Sequence, residues 1–99
     1  MAATPEKKVK DAVVKILKSY GAYYFYAATG GFGSSGVPDI VVCYRGTFIG
    51  IECKAGKGKT TALQDKNLAA IAAQVGIALV INEHNLAHLT DTLEGLKNA

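Results

Sequence analysis

Hydrophobic positions along the chain change period several times, and each change marks an element. From Thr4 the pattern is helical. Val9, Val13, Ile16, Leu17 and Tyr20 recur at intervals of three and four, Thr4 suits the N-cap, Pro5 suits the first helical position, and Gly21 is a natural stop. Residues 22–28 are aromatic and β-prone, which predicts a strand, and the glycine- and serine-rich residues 29–37 predict a loop. Two β-rich runs, residues 38–44 and 47–54, flank Arg45-Gly46 at the spacing of a tight hairpin. Thr61 followed by Gln64 makes a capping box, and Leu63, Asn67, Leu68, Ile71, Ala72 and Val75 carry a second helix to Gly76. Residues 77–81 are wholly apolar, which predicts a strand buried on both faces, and Leu86, Leu89, Leu93 and Leu96 mark a closing amphipathic helix. The predicted order is αβββαβα, an α/β fold in one domain over residues 1–99.

Composition narrows the class. At 99 residues, 49% hydrophobic and 19% charged, the chain is too short for two cores and too apolar to stay disordered. No apolar run approaches membrane-spanning length and the amino-terminal residues are polar, so a cytoplasmic protein without a membrane partner is expected. Two cysteines cannot build a disulfide framework, and Cys43 and Cys53 lack zinc-site spacing. Both are expected to be reduced packing residues. The net charge is only +3, but it is uneven: residues 1–20 hold five lysines against Glu6 and Asp11, and residues 45–66 hold Arg45 and four lysines against Glu52 and Asp65. Two basic patches suit a polyanion, and they also suit solvated helix faces.

Three motifs fail their context. Gly31-Phe32-Gly33-Ser34-Ser35-Gly36 matches a dinucleotide-binding fingerprint, but a strand follows where a helix N-terminus must face the pyrophosphate. Gly58-Lys59-Thr60 resembles the end of a phosphate-binding loop, yet Cys53 stands where the first glycine is required. No nucleotide cofactor is expected. His84 and His88 lie one helical turn apart without a third ligand, and read as surface residues.

The hairpin carries the chemistry. With Arg45-Gly46 as a two-residue turn, Tyr44 faces Thr47 and, stepping outward, Asp39 faces Glu52 as a non-hydrogen-bonded pair with α-carbons about 4.5 Å apart. Two carboxylates in that position repel unless a cation lies between them. A hard divalent ion, Mg2+ or Mn2+, fits oxygen ligands better than zinc does. Lys54, two residues beyond Glu52, points to the same face. Glu6 lies within about 60° of Val9 and about 20° of Val13 and Leu17 on the first helix, so its carboxylate is expected either to face the sheet or simply to favour the helix dipole.

Pro38-Asp39 followed by Glu52-Cys53-Lys54 resembles the signature of the PD-(D/E)xK nucleases, whose restriction-endonuclease-like core is similar to the predicted element order. More narrowly, Gly36-Val37-Pro38-Asp39-Ile40, Glu52-x-Lys54 and Gln64 on the following helix resemble the VRR-NUC family of virus-type replication and repair nucleases in its stand-alone form. The resemblance spans nearly the whole chain except the final helix. It implies a metal-dependent DNA endonuclease in which Asp39, Glu52 and the Cys53 backbone carbonyl hold the metal, Lys54 is the catalytic lysine, Gln64 is an active-site residue and Glu6 is an additional acid. The capping box explains Gln64 equally well. Lys7, Lys10, Lys57 and Lys59, with Ser34 and Ser35 in the loop, are the expected DNA contacts. The resemblance also implies a homodimer resolving four-way Holliday junctions, and a phage or prophage source with a host-cytoplasmic location. Action on linear, nicked or flap DNA, or DNA binding without catalysis, are the competing expectations.

Overall fold

The computed structural model describes residues 4–28 and 36–99. Its elements are α1 (Pro5–Tyr20), β1 (Tyr23–Tyr26), β2 (Ile40–Tyr44), β3 (Thr47–Cys53), α2 (Ala62–Ala73), β4 (Ile77–Ile81) and α3 (Leu86–Lys97), in the order that the hydrophobic pattern predicts. Ser34 and Ser35 lie outside the described residues.

The local signals act as expected at most element ends. Thr4 Oγ1 accepts the Lys7 N–H at 3.1 Å, and Gly21 closes α1 in the left-handed region at φ 71°. Arg45 and Gly46 both take positive φ, 52° and 79°, the mirror-image turn whose twist matches a two-residue hairpin. The turn sets the register from Tyr44–Thr47 out to Ile40–Ile51. The sheet has the order β1-β2-β3-β4. Its first three strands are antiparallel, and β4 joins β3 in parallel after the α2 crossover.

Strand alternation gives the sheet two unlike faces. On one, Ile40, Val42, Tyr44, Ile49, Ile51, Cys53, Leu79 and Ile81 pack against Val9, Val13 and Leu17 of α1 and Leu89 and Leu93 of α3. Each fully buried leucine or isoleucine there contributes roughly 1.5–3 kcal/mol of transfer free energy. Tyr20 ties the two helices together: its hydroxyl donates to Glu94 Oε2 at 2.6 Å, and its ring meets Tyr44 edge-on. On the other face α2 rests on β3 and β4, close enough that a Cβ on Gly50 would lie 2.6 Å from Ile71 Cδ1.

Three expectations need correction. β4 is an edge strand covered fully on one face only, and Val80 is 38% exposed. Cys43 alternates onto the α2 face and is exposed, so only Cys53 is a core thiol. The second helix ends before Val75, which turns left-handed at φ 65° and is 89% exposed. The Val75 and Gly76 N–H groups close the helix on the Ala72 and Ile71 carbonyls, each at 3.0 Å, so the left-handed position is Val75 and not Gly76.

Candidate active site

Asp39 immediately precedes β2, and the observed register, continued one step beyond Ile40–Ile51, sets it opposite Glu52. Asp39 is clamped on both sides: its Oδ2 accepts the Cys53 N–H at 2.8 Å, and its carbonyl accepts the Ala27 N–H at 3.0 Å. The side chain thereby takes over a bond to β3 at the end of the strand. The approach to Asp39 also needs glycine. Gly36 sits at φ 79°, and a Cβ there would lie 2.6 Å from Leu63 Cγ, so the chain entering Pro38-Asp39 passes hard against α2.

Glu52 is 2% exposed, a charged residue inside the sheet. Burial first, then a hydrogen bond to the Asp39 carboxyl and the Asp39 charge, push its pKa up to about 8, while Lys54 pulls it down. Its Oε1 accepts from Gln64 Nε2 at 3.2 Å. Its Oε2 is buried with no hydrogen-bond partner among the described residues. An acid with an unpartnered buried oxygen, facing a second acid, suits a hard cation.

Gln64 uses both ends of its side chain. Its Oε1 accepts the Thr61 N–H at 2.9 Å to complete the capping box, and its Nε2 reaches Glu52. Lys54 follows β3, its N–H bonded to the Ile81 carbonyl at 3.0 Å, and its charge acts on Glu52. Lys57 and Lys59 are exposed on the following turn. Sequence reasoning missed what holds that turn: both Glu83 carboxylate oxygens accept the Gly56 N–H, at 2.8 and 3.1 Å. No local spacing points to a contact across 27 positions.

Two α1 residues approach the acid pair. The Glu6 side chain is half-exposed at 46%, lies 3.8 Å from Lys10 Nζ, and its charge acts on Glu52 and Cys53. Lys10, expected as a DNA contact, is 29% exposed with its Nζ 3.8 Å from Asp39 Oδ1. The i,i+4 spacing of Glu6 and Lys10 signals their pairing, while the approach to Asp39 has no local signal. Lys7 pairs with Asp11 at 3.1 Å on the exposed side. Among the described residues no three His, Cys, Asp or Glu side chains gather as one metal-ligating group; Asp39 and Glu52 face each other as a pair, and Glu6 is linked to Asp39 through Lys10.

A cleft of about 460 Å³ opens beside this network, lined by Thr4, Glu6, Lys7, Lys10, Asp11 and Tyr26. A separate groove under α2, lined by Phe48, Ala70 and Ile71 among others, includes none of the candidate residues. No helix among the described residues is long and apolar enough to cross a membrane. Comparison of the chain with protein-family models and with curated proteins finds no match.

Proposed function

We propose that this chain is a divalent-metal-dependent endonuclease of the PD-(D/E)xK type, in a stand-alone VRR-NUC form, hydrolysing DNA phosphodiesters. The observation that carries the reading is the pair of facing acids, Asp39 and Glu52, in which Glu52 is buried with its Oε2 left without a hydrogen-bond partner among the described residues. Mg2+ or Mn2+ would be held by the two carboxylates with the Cys53 backbone carbonyl, and when bound would supply Lewis-acid polarisation of the phosphoryl oxygen and a more acidic attacking water.

The chain's own groups do the rest. The Cys53 N–H fixes the Asp39 carboxylate, and Gln64 fixes that of Glu52, so neither donor must be ordered at the moment of reaction. Lys54 stabilises negative charge as it builds on the phosphate. Lys57 and Lys59, on the turn fixed by Glu83, contact flanking phosphates and set position without reading bases.

A four-way junction cut by a homodimer is the proposed substrate and assembly. Supporting a second copy, Tyr23 is 69% exposed, Phe25 48% and Phe48 47%, all on the sheet face that α2 leaves open. The test is magnesium-dependent cleavage of a junction and of a duplex of matched sequence, by the full chain and by its Asp39→Ala and Glu52→Ala variants. Each substitution is expected to lower the rate by at least about 100-fold. Near wild-type cleavage by either variant overturns the reading, and binding without cleavage by the wild type makes the chain a DNA-binding module. Equal cutting of junction and duplex keeps the nuclease and removes the resolvase.

A further inference from the structure

Of the five lysines on α1, Lys7, Lys8, Lys15 and Lys18 are exposed, whereas Lys10 lies against the acid site. Its Nζ stands 3.8 Å from Asp39 Oδ1 and 3.8 Å from Glu6 Oε2, making it the link between α1 and the residue that precedes β2. Three carboxylates therefore meet two ammonium groups, Lys54 acting on Glu52 and Lys10 standing beside Asp39.

We propose that Lys10 is the resident counter-ion of the acid pair: its ammonium balances Asp39 in the ion-free protein and competes with an incoming divalent ion for that carboxylate. The inference rests on the metal-dependent reading above. A divalent ion held by Asp39 and Glu52 would share the Asp39 carboxylate with an ammonium already 3.8 Å from it, and the two cations would repel. Lysine suits this place because its charge rides on a flexible four-carbon stem. Lys10 also lines the 460 Å³ cleft, so its ammonium has room to withdraw. Lys10 is thus a positioning residue. It keeps α1 and β2 in register when the ion is absent and weakens the hold on the ion when it is present.

The experiment titrates Mn2+ into the purified full chain, following the signal of free Mn2+ by electron paramagnetic resonance, in mildly alkaline buffer where protons compete least. Lys10→Met is expected to bind Mn2+ roughly three- to tenfold more tightly than wild type, and Lys10→Arg, which keeps the charge, to stay within about twofold. Lys15→Met, removing an exposed lysine of the same helix away from the cleft, is expected to change nothing. Without metal, Lys10→Met should melt below wild type, and saturating Mn2+ should close the gap, a recovery that a packing role alone does not produce. Equal or weaker Mn2+ binding by Lys10→Met overturns the inference while leaving the nuclease reading intact. Absence of Mn2+ binding by the wild type overturns the nuclease reading itself. Lys10→Gln carries the same comparison if the methionine variant does not fold.

Discussion

The two faces of the sheet differ in what they are built to do. The face under α1 and α3 is a closed apolar layer in which Leu17, Ile40, Ile49, Ile51, Ile81, Leu89 and Leu93 are all removed from solvent. The face under α2 is half-covered: α2 buries none of its residues fully, Phe48 and Val80 stay exposed, and the one charged residue held inside the sheet, Glu52, lies there against Gln64. A strong core on one side allows an energetically poor arrangement on the other. Two like charges in register would weaken a sheet that relied on that face for its stability.

The largest contrast is expected in stability itself. Leu17→Ala leaves a cavity in the closed layer and should cost about 3–4 kcal/mol, whereas Ile71→Ala, at the half-covered α2 contact, should cost about 1 kcal/mol. Urea denaturation of the two variants measures both. Comparable losses would mean that α2 is packed as tightly in solution as α1 and α3, and would dissolve the distinction.

Next comes the pH dependence. Glu52 has its pKa raised from 4.5 to about 8 in the folded chain, so between those values the folded state holds a proton that the unfolded chain has released. Ion-free stability must therefore fall as pH rises through that window, by as much as about 5 kcal/mol, and stay low above it. Glu52→Gln should flatten the slope and leave the variant more stable than wild type at alkaline pH. Thermal melts across the window read the effect directly. A wild-type stability that rises from mildly acidic to mildly alkaline pH would show that Glu52 is ionised throughout and already partnered.

How much of this was legible follows from the range of each signal. Arg45-Gly46 sets the register, and with it the opposition of Asp39 and Glu52, because a two-residue turn leaves no freedom in pairing. The helical stripe Val9, Val13, Leu17 is likewise local, and it is the buried stripe of α1. Gln64 was ambiguous in sequence because one side chain has two ends: its carbonyl caps α2 while its amide reaches Glu52. Lys10 was hidden among lysines of similar spacing, and only the position of Asp39 against α1 singles it out. Glu83 was beyond reach, since its partner Gly56 is brought to it by the β3–α2–β4 crossover.

The smallest expected effect tests the open face most finely. Val75 is a β-branched residue held left-handed at φ 65°, a conformation costing such a side chain roughly 1–2 kcal/mol relative to glycine. Glycine's extra freedom in the unfolded chain returns about 0.5–1 kcal/mol of that. Because the Val75 side chain is 89% exposed, its removal sacrifices little burial, so Val75→Gly should stabilise the monomer by about 0.5 kcal/mol, a rise of a few degrees in Tm. A loss of stability would reverse the inference about exposure. It would mean that Val75 is covered in solution, and since the α2 face carries the exposed apolar side chains, the cover would be another copy of the chain. A melting temperature that rises with protein concentration in the wild type, but not in Val75→Gly, distinguishes that outcome from a simple packing defect.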